Sequence, residues 1–232
     1  MASSATPPRR SWLPGARIPR LKDSHSYGVV LGLIVAMFFF AATAATAPWS
    51  TAVILVLQGL IFAVALWTSA RELERNVGAL VLVASAALAV VVLSLGTGRV
   101  VTGVVAIYSA ALTVATVLVI ARGVMGQTEI NAKSVSGAVS IYVLLGILFV
   151  FVYAAIAALG RKPFFVQGAT PTRPLLLYFS FVTMTTVGYG DYTAKPQVGR
   201  TFAVIEALSG QLYLVTVVAI LVSQFGRMRA PR

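Results

Sequence analysis

The chain contains no cysteine. Disulfides and thiolate metal sites are therefore excluded, and the redox compartment stays open. Charge is also scarce. Asp, Glu, Lys and Arg make up 10% of the 232 residues, against about 25% in soluble domains. There are six acids and one histidine. The histidine, His25, falls in the N-terminal tail, and a single acid, Glu206, falls inside a long apolar run. Catalysis needs clustered nucleophiles, acids or metal ligands, so no enzyme is expected.

What the chain has instead is apolar length. Hydrophobic residues make up 59% of it, and its mean hydropathy is +0.92. Roughly 20 apolar residues span the hydrocarbon core as a helix. Runs of that kind lie at 27–47, 51–70, 77–95, 100–121, 137–159 and 201–225. The expected fold is an all-α membrane protein with six transmembrane helices. The net charge of +12 would suit nucleic acid only if the basic residues were clustered on one soluble face. They sit between the apolar runs. Basic residues collect in cytoplasmic loops. With the N-terminus inside, twelve of the 18 Lys and Arg fall on the cytoplasmic side and six outside. Both termini are expected in the cytoplasm, with anionic lipid headgroups as partners of that inner charge and no nucleic acid.

The organisation follows from the same pattern. Residues 1–26, rich in Ser, Pro and Arg, read as a disordered basic tail. Trp12, Leu13 and Ile18 would be solvated there or rest on the inner membrane surface. Residues 27–121 form a four-helix transmembrane unit, 122–136 a cytoplasmic linker, 137–226 a second unit and 227–232 a short tail. The first run ends in small residues like a signal-cleavage site, but its length and Pro48 favour an uncleaved helix. Turns are expected at 47–50 and 95–99 outside and at 71–75 inside. Gly123 and Gly126 would allow a bend in the linker, and Thr128 a helix cap.

Residues 160–197 differ in kind. They hold Pro163, Pro171, Pro174 and Pro196, several glycines and many hydroxyls. Such a segment cannot span lipid, and survives at membrane depth only when buried in protein or lining water. It reads as a loop entering from outside between the last two spans. Within it lies Thr183-Met184-Thr185-Thr186-Val187-Gly188-Tyr189-Gly190-Asp191. Thr-Val-Gly-Tyr-Gly is the known signature of potassium filters. Its chemistry is intelligible: carbonyl oxygens replace the hydration shell of K+ without a fixed charge that would trap the ion. Pointing them to one axis requires unusual dihedrals at alternate residues, which Gly188 and Gly190 tolerate. The carbonyls of Thr186, Val187, Gly188 and Tyr189 would form the ion-binding rings, and the Thr186 hydroxyl the innermost one. One loop gives one oxygen per ring, so four copies of the chain are needed, most simply as a homotetramer.

From Tyr178 to Phe225 the sequence resembles the bacterial ion-channel family of the two-helix-pore type. The resemblance implies a pore helix at 177–185. It also implies that Tyr178 and Phe179 brace the filter tyrosine, that Asp191 stands behind the outer mouth, and that Thr185 supports the filter. Gly199-Arg200 would start the inner helix and Gly210 would be its gating hinge; close helix packing is the other reading of Gly210. There are three departures. Val182 occupies the place where some members carry a glutamate, and Glu206 lies on the inner helix, where it would support the filter near Thr183 or Thr185. Lys195 replaces a more often neutral residue near the mouth. A cavity below the filter would be lined by Gln211, Leu214, Val218 and Val222.

The function implied is passive K+ conduction across a bacterial plasma membrane. The six-span plan resembles that of voltage-gated channels, but the fourth run carries no arginine before Arg122. A voltage sensor needs several. The first four helices are expected to serve packing and lipid contact, or to sense a lipid, tension or ligand. Gating is expected to reside in the membrane part. The linker permits packing on the chain's own pore or a neighbour's. A transporter with a pore-like loop would more often show paired repeats, and a non-conducting subunit would not need an intact filter.

Overall fold

A computed structural model describes residues 26–69, 72–125 and 132–228. The architecture is all-helical: α1 (Ser26–Thr43), α2 (Pro48–Ser69), α3 (Glu72–Leu95), α4 (Arg99–Met125), α5 (Ala132–Leu159), α6 (Arg173–Met184) and α7 (Gln197–Met228). Among the described residues, four helices are long and apolar enough to cross a membrane, over Pro48–Thr68, Asn76–Leu95, Arg99–Met125 and Ser134–Leu159. The apolar stretch of α1 is shorter, Tyr27–Thr43, and reaches about 25 Å at 1.5 Å per residue.

Several boundaries differ from expectation for local reasons. The first run closes at Thr43, whose hydroxyl donates back to Phe39 O at 2.8 Å. Ser50 Oγ then accepts from Ala47 N at 3.2 Å and reaches Ala45 O at 2.6 Å. Pro48 consequently opens α2 instead of lying in the turn, since the first helical position has no use for the N–H that proline lacks. The turn expected at 71–75 is helical from Glu72 onward. Gly123 does not end its helix either; α4 continues to Met125. The expectations for residues 1–25, Gly126, Thr128 and residues 229–232 lie outside the described residues.

Packing joins the two halves. α2 runs beside α3 and α4, α4 beside α5, and α1 meets α2, α5 and α6. Within this single chain, α1 and α4 of the first unit pack against α5 of the second. One buried cluster draws Ile34, Ile61, Ile120 and Leu144 from α1, α2, α4 and α5. A second, around Tyr153, Phe164, Phe165, Leu176 and Phe179, fills the space between α5, α6 and the loops beside them. The chain before α6 and the chain before α7 are stitched by an isolated bridge between Phe165 and Ala194. Its hydrogen bonds are Val166 N to Thr193 O at 2.9 Å and Lys195 N to Phe164 O at 2.7 Å.

Two arginines tie the halves at the end where α4 begins. Arg99 donates to Ala158 O and Gly160 O at the end of α5, where the helix dipole favours a cation. Arg173, at the start of α6, donates to Ser50 Oγ at 3.2 Å and Thr51 Oγ1 at 2.7 Å on α2. Arg173→Ala removes both bonds and is expected to destabilise the chain by about 1–3 kcal/mol. A thermal melt of the purified protein checks this, with a drop of about 2–4 °C per kcal/mol.

Candidate functional site

The site grows out of α6. Thr172 is its N-cap, Pro174 sits in the first turn, and Leu176, Leu177, Phe179, Ser180 and Met184 are buried. The helix starts four positions before the expected 177, because Pro174 is well placed in a first turn. It ends at Met184, with Thr185 as C-cap donating its N–H to Phe181 O at 3.0 Å. Thr186 N then donates to Thr183 O at 2.9 Å and Gly188 N to Val182 O at 3.2 Å. These bonds fold the following strand back along its own helix.

Backbone angles in that strand alternate. Thr186, Gly188 and Gly190 have φ of +59°, +54° and +79°, while Val187 and Tyr189 between them do not have positive φ. In an ordinary extended strand successive carbonyls point to opposite sides. Alternating the hand of successive residues cancels that reversal. The glycines were legible in the sequence as carriers of this geometry. Thr186 was not: it is the sole positive-φ non-glycine among the described residues, at a cost of about 1–2 kcal/mol. Its Oγ1 lies 3.2 Å from Gln211 Nε2 of α7, which draws one predicted cavity residue to the inner end of the strand. Leu214 is partly exposed. The side chains of Val218 and Val222 lie outside the described residues.

Further along this segment the Tyr178 ring stacks on Tyr189, with centroids 6.4 Å apart and planes within 8°. Its hydroxyl donates to Asp191 Oδ2 at 2.7 Å. That bond holds the Tyr178 phenol above its ordinary value, at about 12. Asp191 Oδ1 accepts from Tyr192 N at 3.1 Å. Phe179 does not share this role. It lies edge-on to Tyr153, Phe164 and Phe165. Neighbouring helix positions point about 100° apart, so Tyr178 and Phe179 cannot both face the strand. Phe164 and Phe165, both fully buried, were not anticipated; an aromatic pair inside an otherwise polar loop was the available signal. Thr185 Oγ1 bonds Phe181 O at 2.6 Å and so caps α6.

Glu206 is fully buried, but its partners are not Thr183 or Thr185. Its Oε2 accepts from Tyr153 Oη at 2.5 Å, and its Oε1 lies 2.5 Å from Ser180 Oγ. Ser180, one turn before Met184, presents the buried face of α6; the two threonines lie past it. Gly210 faces the end of α6. A Cβ there would stand 2.6 Å from both Met184 Cγ and Met184 O, the contact of a packing glycine.

A family model described as an ion channel matches residues 164–227. The chain is 34% identical over 89 residues to the A-type voltage-gated potassium channel KCND3 of Rattus norvegicus, and equally to that of Homo sapiens. That alignment takes in 36% of this chain and 14% of each relative, so the chain spans about a seventh of the length of the relatives it matches. No solved structure matches it.

Proposed function

We propose that this protein is a potassium-selective channel, assembled from four copies, that conducts K+ passively through Thr186, Val187, Gly188, Tyr189 and Gly190. The observation that carries the proposal is the alternation of φ along Thr-Val-Gly-Tyr-Gly. Such an alternation would turn consecutive carbonyls to a common side, which is what coordination of a bare monovalent cation requires. The match of residues 164–227 to an ion-channel family supports it. So does the named activity of the relatives.

Assembly follows from what the subunit leaves uncovered. Tyr189, Leu212 and Val215 are 70%, 65% and 67% exposed, along the strand and α7. Four copies around one axis would cover that face and close each oxygen ring. The C-terminal end of α6 would then aim its negative dipole end toward the conduction path, favouring a cation. With six spans, formed by α1 to α5 and α7, both termini would lie on one side of the membrane, and the basic residues between the spans favour the cytoplasm of a bacterial plasma membrane. Gly210 would act there as a hinge or as a packing glycine, and anionic lipids would meet the inner basic residues.

The test is flux. Liposomes holding only the purified chain are expected to pass K+ in preference to Na+. Flux without that preference overturns the assignment. Voltage gating of the usual kind is not expected, because α4 carries Arg99 at its start and Arg122 in its last turn with no basic residue between. Stepping the membrane between about −100 and +100 mV should evoke no gating-charge current, whereas a sensor moves several charges through the field. A transient charge movement that persists with the pore blocked would contradict this.

A further inference from the structure

The three close oxygen pairs around Glu206 call for one more proton than the Tyr153 and Ser180 hydroxyls supply. Ser180 Oγ lies 2.5 Å from Glu206 Oε1 and 2.8 Å from Gly146 O. A serine hydroxyl has one proton, and a backbone carbonyl can only accept. If Glu206 were ionised, Ser180 would satisfy one of the two oxygens and face the other across a contact with no hydrogen in it. Tyr153 offers no way out, since its Oη reaches Glu206 Oε2 and no other polar atom among the described residues. The surroundings add a second reason. Facing Glu206 are the Tyr153 phenol from α5 and the Ser180 hydroxyl from α6, and among the described residues no cation pairs with it. A buried charge without a partner carries a heavy desolvation penalty.

We infer that Glu206 is a neutral carboxylic acid whose Oε1–H donates to Ser180, which in turn donates to Gly146 O, while Tyr153 donates to Oε2. Every proton then has an acceptor and every close oxygen pair a proton. The three bonds join α7, α6 and α5 at a single buried point. Glu206 lies one turn before Gly210, which itself packs on the end of α6. Glu206 is thus a positioning residue. It fixes the inner helix against the pore helix, and through that helix holds the strand that follows. This positioning role rests on the channel reading; the protonation state does not.

Infrared spectroscopy of the full chain in lipid vesicles at neutral pH tests it. A protonated-carboxyl stretching band is expected. It should shift when glutamate carries carbon-13 at its side-chain carboxyl and vanish in Glu206→Gln. Absence of such a band, or its persistence in Glu206→Gln, overturns the inference. Should the glutamine variant fail to fold, Ser180→Ala removes the acceptor, and the band is expected to move to higher frequency. An unmoved band there overturns the proposed donation. The spectrum reads the proton whether or not the vesicles conduct, so failure of the flux assay and failure of this inference are separate results.

Discussion

Gly188→Ala is expected to abolish potassium-selective flux while leaving the chain folded. The reason is conformational. No atom lies within 4 Å of where the new Cβ would stand in the subunit, but φ is +54°. An L side chain pays about 1–2 kcal/mol to hold that conformation, or roughly 4–8 kcal/mol over four subunits of a tetramer. Relaxing φ would rotate the adjoining carbonyls out of their common direction. The site would then no longer offer K+ a full replacement for its water. A matched control separates strain from position. Gly168 has φ of +74° and equally open surroundings, but lies in the loop before α6. Gly168→Ala should cost similar stability and keep the preference for K+ over Na+. Retained selectivity in Gly188→Ala would sink the filter assignment.

Gly210→Ala is expected to fail for the opposite reason, lack of room. The added methyl would meet Met184 Cγ and Met184 O at 2.6 Å. A flexible side chain can yield, but the carbonyl belongs to the end of α6. Overpacking of this kind costs about 1–3 kcal/mol, or about 2–12 °C in the melt. It would also push α6 away from α7 just where the Thr-Val-Gly-Tyr-Gly segment begins. The two readings of this glycine diverge in the data. A packing role lowers both the melting temperature and the flux. A pure hinge role lowers flux with the melting temperature unchanged, because alanine favours an uninterrupted helix.

The sequence alone determined what is local. Six apolar runs, the interrupted loop between the last two, and the glycines at 188 and 190 all follow from residue type and short-range order. So does the lack of basic residues in the body of α4. Such features depend on neighbours along the chain, and the helices lie near the runs that announced them. The tertiary structure decided which faces meet. Tyr178 and Phe179 both suit a brace by type, but rotation of α6 about its axis gives that position to Tyr178 and buries Phe179 with Phe164 and Phe165. Glu206 was legible as a buried acid; its partners Ser180 and Tyr153 depend on how α7 is rotated and shifted against α5 and α6. Side-chain interdigitation over the whole interface sets that rotation, and no single segment encodes it. The positive φ of Thr186 is of the same kind. A threonine has no preference for it, so only the surrounding bonds to α6 and Gln211 hold it there.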